Sequence, residues 1–276
     1  RYDKDLKSAR IFVIEKFFMN MIKEILKKII PQSIRLMLRQ FQYRLLKIQY
    51  RLLKIKEDKE FKNMSNSEIF NKIYSEGIWG KNEYGQSTSG SGSHTNEIVQ
   101  PYISEISKFL LDIKPSILVD LGCGDFNVGK NFINLCEKYI ACDVSSEILN
   151  RNKENFSKLK NVHFNLLDLT SDHLPNGDVC FVRQVLQHLT NDDIMKFVNK
   201  LNYQKPYKYL VLTEHLPLSD KFKPNIDKYS GNGTRLIVNS GVVLHSKPFN
   251  LNYSEISNLL EVNESGGRIK TTIYKF

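Results

Sequence analysis

The sequence predicts an α/β fold with a doubly wound, mostly parallel sheet, and three observations carry that expectation. Short apolar runs alternate with helical stretches from residue 98 onward. One run, Ile117–Leu121, feeds the glycine-rich turn Gly122-Cys123-Gly124, and an aspartate stands at the end of this run and of the next two: Asp120, Asp143 and Asp168. Strands covered on both faces read as such apolar runs, and strands alternating with helices build a parallel sheet.

Residues 1–10 are polar, and the chain opens on Arg1, so either these residues are an addition or translation starts later, at Met19 or Met21. Residues 11–30 are apolar but interrupted by Glu15, Lys16, Lys23, Glu24, Lys27 and Lys28, which a bilayer-spanning helix would have to bury. No small-residue cleavage site follows, as a signal peptide requires. Pro31 breaks this helix and Ser33 is a candidate cap for the next. Ile34, Leu38, Phe41, Leu45, Ile48, Leu52 and Ile55 then recur at alternating spacings of 4 and 3, a coiled-coil seam in which QYRLLKI occurs twice in tandem. Leu46 and Leu53 widen the stripe, while Arg44, Lys47, Arg51 and Lys54 crowd the remaining surface. Three readings of residues 11–56 stand side by side: peripheral contact with an anionic membrane, self-association, and packing against the rest of the chain.

A polar linker follows, and a helix is expected over residues 67–75. Trp79, the only tryptophan, and Tyr84 precede residues 86–93, which composition alone reads as a flexible tether. Helices are expected at 96–111, 128–137, 146–156 and 194–201, the last capped by Asn191 or Asp192, and a short one from Ser254. Strands are expected at 117–121, 139–143, 162–166, 179–182, 209–213 and 268–274. The chain thus divides into a basic helical arm (1–60), a linker with a Gly/Ser-rich segment (61–95) and an α/β domain (96–276).

With 276 residues, 41% hydrophobic and 25% charged, the chain is long enough for one full α/β domain and an appendage. The net charge of +10 is unevenly placed: residues 1–60 hold 16 Lys and Arg against 7 Asp and Glu, the remainder 24 against 23. Basicity belongs to the arm, so nucleic acid is not the expected partner of the α/β domain. Cys123, Cys136, Cys142 and Cys180 lack paired C-x-x-C spacing and read as reduced packing residues of a cytosolic protein, with no metal site.

Three kinds of site share a strand that ends in a glycine turn. A dinucleotide loop wants G-x-G-x-x-G, but the third position falls on Asn127. A phosphate loop fits Gly124 to Lys130 as G-x-x-x-x-G-K, yet Asn131 replaces the Ser or Thr that would hold magnesium. Asp120 and Asp125 would repel a triphosphate and suit a cation instead.

VDLGCG at this place resembles the first motif of the class I S-adenosylmethionine-dependent methyltransferases, with Asp143 after YIACD and Asp168 after NVHFNLL at the family's spacing. Either aspartate alone reads equally well as a helix cap. The resemblance covers roughly residues 98–276 and implies a Rossmann-like sheet of about seven strands with one antiparallel edge. It implies S-adenosylmethionine as cofactor, held by Asp120, Gly122, Cys123, Gly124, Asp125, Asp143, Val144, Asp168, Leu169, Arg183 and Gln184. The W-G pair at Trp79 and the S-G-x-G-S run from Ser89 resemble methyltransferases of bacterial surface-polysaccharide gene clusters, which implies a lid over the methionine end of the cofactor.

An alcohol acceptor must lose a proton, for which a base near neutral pKa is suited. His188 is the first candidate base, with Glu214 and His215 beside it if both look into one crevice; His94 is a more distant candidate. Tyr84, Gln187, Asn225, Asp227 and Arg235, with Tyr229, are the candidate groups for a sugar or a nucleotide- or lipid-linked glycan. The expected reaction is O-methylation of a sugar hydroxyl in capsule or lipopolysaccharide biosynthesis, in the cytoplasm or on the inner face of its membrane. The alternatives are a small-molecule N- or phosphate-O-methyltransferase, a P-loop nucleotidase and a non-catalytic scaffold.

Overall fold

The computed structural model describes residues 34, 37, 41, 45, 48, 49, 52, 56, 59 and 60 singly, and then 61–264 and 266–276. The chain divides into two compact units, residues 1–53 and 54–276. In the first, Ile34, Met37, Phe41, Leu45, Ile48, Gln49 and Leu52 are helical and exposed. Leu38, Leu46, Leu53 and Ile55 of the predicted stripe, Arg44, Lys47, Arg51 and Lys54 beside it, the break at Pro31 and residues 11–30 lie outside the described residues. None of the described helices is long and apolar enough to cross a membrane.

The second unit is built on seven strands: β1 (Ile117–Leu121), β2 (Lys138–Asp143), β3 (Val162–Leu166), β4 (Val179–Arg183), β5 (Tyr209–Pro217), β6 (Glu255–Glu264) and β7 (Gly267–Lys275). Their spatial order is β3-β2-β1-β4-β5-β7-β6. β1 pairs in parallel with β2 on one side and β4 on the other, so the winding reverses at β1 and a crevice opens at its carboxyl end. β7 runs antiparallel to both β5 and β6. The antiparallel strand is therefore second from the edge, and the edge itself is β6.

β6 replaces the helix expected from Ser254. Its partner decides this: nine residues of β7 pair with it, from Glu255 opposite Lys275 to Glu264 opposite Gly267, and Gly266 at φ 80° supplies the left-handed turn between them. Pairing to a neighbour outweighs the weak helical preference of Leu and Glu in this stretch.

Alternation along the buried strands sorts side chains into two layers. Leu118, Tyr139, Phe181 and Val211 face a cluster with Tyr102, Ile106 and Leu110 of one helix (Asn96–Ile113, α3). Val119, Ile140, Val182 and Leu212 face the other way, toward Phe70 and Ile73 of α1 (Asn66–Glu76) and Phe197 and Leu201 of α5 (Asn191–Gln204). α2 (Ser91–His94) and α4 (Ser146–Asn155) complete the helices of this unit.

Local signals set the ends. α1 starts at a capping box, Ser65 with Glu68, and stops at Gly77, φ 68°. α5 is capped by Thr190, whose hydroxyl accepts from the Asp193 amide, in place of the expected Asn191 or Asp192. The helix expected over 128–137 is a 3-10 segment, Gly129–Leu135. Here Asn131 Nδ2 donates to the carbonyls of Asn127 and Val128 at 3.1 and 2.9 Å, a side chain bonding to carbonyls an α-helix would use otherwise.

Phe132 sits between Tyr102 and Phe181, with ring centroids at 6.1 and 5.6 Å, and is fully buried. Phe132→Ala is expected to lower stability by about 3–5 kcal/mol in urea unfolding, the cost of deleting a buried ring that its neighbours cannot collapse upon; a loss below about 1 kcal/mol would place this ring outside the core.

Candidate active site

The crevice begins where β1 ends. The amides of Gly122 and Cys123 both donate to the carbonyl of Cys142, which ties the turn to β2. Gly122 and Gly124 take φ of 82° and 54°, and a Cβ on either would lie 2.4 Å from Val185 Cγ2 or 2.3 Å from Ser89 Oγ. Glycine is needed at both for conformation and for space.

The carboxylates gather round this turn. Asp143 Oδ2 accepts from the Gly124 amide at 2.9 Å and Oδ1 from the Ser145 amide at 3.0 Å. Asp120 Oδ2 accepts from the Tyr139 hydroxyl at 2.8 Å. Burial pushes Asp120 up to about 7 and Asp143 up to about 6, although hydrogen bonds pull each back. Asp168 lies farther out at the end of β3, its Oδ1 on the Thr170 amide at 2.8 Å and its Oδ2 reached by Asn66 Nδ2 at 3.3 Å.

Residues 86–95 do not form a loose tether. Asp125 accepts from the Ser89 amide at 2.9 Å, and its own amide donates to Ser89 Oγ at 2.8 Å. His94 Nε2 lies 2.6 Å from Asp125 Oδ2. Burial pushes Asp125 up, but the bonds from His94, Ser89 and Asn127 outweigh it and hold the carboxyl below its ordinary value. Arg183, at the end of β4, donates to Gly92 O at 2.5 Å and Ser93 Oγ at 3.1 Å, with its guanidinium 4.8 Å from the Tyr102 ring. Gln184 stands against Gly92, where a Cβ would meet its Oε1 at 2.2 Å. Val144 and Leu169 pack in the core layer beside α1 and α5.

α1 contributes groups that the sequence did not point to. Asn71 Oδ1 accepts from Ser145 Oγ at 2.8 Å and the Glu147 amide at 3.2 Å, and the Tyr74 hydroxyl lies 3.1 Å from Ser89 Oγ. Helix α1 therefore braces the turn after β2 and the Ser89 segment together. The only available sequence signal was the capping box at Ser65.

Beyond β4, Leu186–His188 forms a single 3-10 turn. His188 Nδ1 lies 3.2 Å from Gly231 O, and because a carbonyl only accepts, Nδ1 carries the proton. Nε2 then accepts from Gln187 Nε2 at 3.2 Å, while Gln187 Oε1 accepts from the His215 amide at 3.0 Å. Burial pushes His188 down to about 3, so its ring is neutral. A histidine with both nitrogens engaged and so low a pKa is a weak base, which corrects the role expected of it. Its ring packs 5.0 Å from Trp79, whose Nε1 donates to Asn232 O at 3.3 Å.

Glu214 and His215 do not share the crevice, since neighbours in a strand face opposite sides. Glu214 Oε1 accepts from the Leu186 amide at 3.1 Å, and burial raises its carboxyl to about 8. His215 Nε2 lies 3.2 Å from both the carbonyl and the carboxylate of Glu264 in β6.

The groups expected to recognise an acceptor hold the chain instead. Arg235 is fully buried, its guanidinium donating to Ile226 O at 2.5 Å and Leu189 O at 2.7 Å. Asn225 Nδ2 donates to the carbonyls of Val243 and Lys247, both at 2.9 Å, and Asp227 Oδ1 accepts from the Asn191 amide at 2.7 Å at the start of α5. Tyr84 tips a turn with its ring 79% exposed, and the Tyr229 ring lies under Lys62 Nζ. The phosphate-loop alternative fails on the same ground. Gly129 packs against Phe126 and Tyr139, where a Cβ would come within 2.6 and 2.7 Å, and Lys130 Nζ turns outward to Asn127 Oδ1.

The donor set fits a cationic adenosyl cofactor. Asp120 and Asp143 are two buried acids whose ionised forms gain from a positive neighbour, and each oxygen of Asp143 keeps a lone pair for a hydroxyl. Without a ligand the two acids oppose folding once ionised. Their unfolded value is 3.8, so from about pH 4 to about 7 the folded state retains protons that the unfolded chain has lost, and stability falls as pH rises through that window. Asp120→Asn is expected to flatten that part of the profile and to raise the ligand-free thermal midpoint at pH 8; an unchanged profile would show that Asp120 is ionised at ordinary cost.

Residues 119–203, from β1 through nearly all of α5, match the family model described as a methyltransferase domain. No curated protein matches the chain. Among solved structures, the chain is similar to the N-methyltransferase NodS from Bradyrhizobium japonicum in complex with S-adenosylhomocysteine: 11% identity, 74% of this chain, 98% of that one, TM-score 0.48. It is also similar to human N-acetylserotonin methyltransferase in complex with S-adenosylmethionine (15% identity, 77% of this chain, 60% of that one, TM-score 0.49). The N-terminal domain of EvdMO1, in the presence of S-adenosylhomocysteine and D-fucose, is 13% identical over 77% of this chain and 97% of that one, with a TM-score of 0.47. These likenesses are too distant to assign an acceptor. The span that matches a methyltransferase domain, residues 119–203, is the one that holds the glycine turn with Asp120, Asp143 and Asp168.

Proposed function

We propose that the enzyme methylates a hydroxyl of a sugar, in the making of a bacterial capsule or lipopolysaccharide. The observation that carries this reading is the charge of the groups around the Trp79–His188 contact. His188 is neutral, Gln187 is an amide, Glu214 is held protonated near neutral pH by burial, Arg235 is spent on carbonyls, and Lys228, whose charge also bears on His188, donates to Tyr229 O. An ammonium acceptor calls for an ionised carboxylate and a phosphate acceptor for a free cation. A neutral polyhydroxylated acceptor calls for neither. The placement of Trp79 and of Ser89 and Ser93, the residues on which the resemblance to surface-polysaccharide enzymes rests, supports the same reading.

When bound, S-adenosylmethionine supplies a methyl group on a sulfonium leaving group. The chain's own part is to hold and to align. In this reading Asp143 accepts from the ribose hydroxyls and Asp120 supplies negative charge beside the glycine turn. Gln187, held by His188, keeps one N–H and one lone pair to orient an acceptor hydroxyl, and alignment behind the methyl carbon supplies much of the rate. The S–CH₃ bond breaks as the O–CH₃ bond forms, and the hydroxyl proton passes to water late, as positive charge develops on its oxygen, so no strong base is needed.

Three measurements test this. S-Adenosylhomocysteine release by the full chain is expected with glycans and nucleotide-linked sugars, with a mass gain of one CH₂ on the glycan, and not with amines or phosphate monoesters; the reverse pattern would overturn the acceptor assignment. Asp143→Ala is expected to weaken S-adenosylhomocysteine binding in calorimetry by about 10- to 100-fold, the worth of hydrogen bonds to a charged group. His188→Gln is expected to keep cofactor affinity and lose less than about tenfold in kcat/KM, whereas a general base would cost about 10²–10⁴.

A further inference from the structure

Ile34, Met37, Phe41, Leu45, Ile48 and Leu52 are helical and between 43% and 63% exposed. At 100° per residue they fall within an arc of about 80°, a single apolar ridge. So large a patch of apolar surface marks a binding face. The charges of the same stretch identify what covers it. Between Glu24 and Glu57 the sequence holds nine lysines and arginines and no aspartate or glutamate.

That pattern weighs against a second copy of the chain. Pairing would bring nine cations against nine, and the positions beside the seam that carry complementary charges in stable coiled coils hold Arg44 and Arg51. The α/β domain is close to electrically neutral and offers no net acidic counterpart. Nucleic acid would neutralise the cations but leave the ridge in water. An anionic bilayer surface satisfies both features at once, with phosphates for the cations and the acyl boundary for the ridge.

We propose that residues 34–56 dock the enzyme on an anionic lipid surface. The ridge enters the headgroup boundary while Arg44, Lys47, Arg51 and Lys54 engage lipid phosphates. The catalytic domain is thereby concentrated where lipid-linked acceptors would lie, although the docking itself does not depend on the acceptor.

The test is co-sedimentation of the full chain with vesicles of phosphatidylcholine alone and of phosphatidylcholine with phosphatidylglycerol. Binding is expected only to the anionic vesicles, and it should be lost at high salt. The double variant Phe41→Glu with Leu45→Glu is expected to bind at least about tenfold more weakly, as is Arg44→Gln with Arg51→Gln, through loss of ridge and of charge respectively. Both should keep the parent's S-adenosylhomocysteine affinity, which shows that the catalytic domain is folded. Equal binding to both kinds of vesicle, or none to either, would overturn the proposal. So would self-association, or binding to a DNA duplex, that the Phe41 and Leu45 substitutions alter while vesicles fail to capture the parent.

Discussion

A buried carboxylate must be supplied with hydrogen-bond donors, and at Asp143 that requirement fixes the crevice. Its two oxygens take the Gly124 amide from the β1 turn, 19 residues before it, and the Ser145 amide from its own turn, so one side chain locks two loops together. The Gly122 and Cys123 amides bond to the residue just before it, Cys142, which closes the same junction from the backbone side. Everything placed beside the glycine turn inherits its position from this junction: Asn152 on Gly124 O, Asn71 on the start of α4, and Ser89 against Gly124. The same burial keeps the acid's pKa high, so the junction that shapes the site also leaves it short of positive charge.

The central strands were legible because their pattern is dictated locally. β1, β2 and β4 are covered on both faces, so their residues are apolar almost without interruption and the period cannot be mistaken for exposed structure. The acids at the strand ends were legible for a related reason, since a polar residue closing a buried run has few places to point. The edge was not legible. β6 is largely exposed and takes its conformation from β7, a partner that no local pattern announces.

The site was legible in part. Polar residues in an irregular stretch invite a ligand, yet Asn225, Asp227 and Arg235 satisfy backbone groups of the connection between β5 and β6 and of the α5 start. A long segment without regular structure has carbonyls and amides to satisfy, and its polar side chains are first claimed by that need. The opposite error concerned residues 86–93, whose small side chains suggested looseness. Their glycines instead fix the path: Gly92 permits the close approach of Gln184, and Gly90 takes a φ of 83°. Asn66, Asn71 and Tyr74 escaped notice because a helix ahead of the domain gives no hint of which distant loops it will brace.

The Ser89–His94 segment has one more effect. Ser89 occupies the space next to Gly124 and is held by paired bonds to Asp125, while Arg183 holds Gly92 and Ser93 from the far side. Gly124 is thereby buried under residues from well ahead of β1, so the cover of the turn is fixed by Asp125 and Arg183 and not by the turn itself.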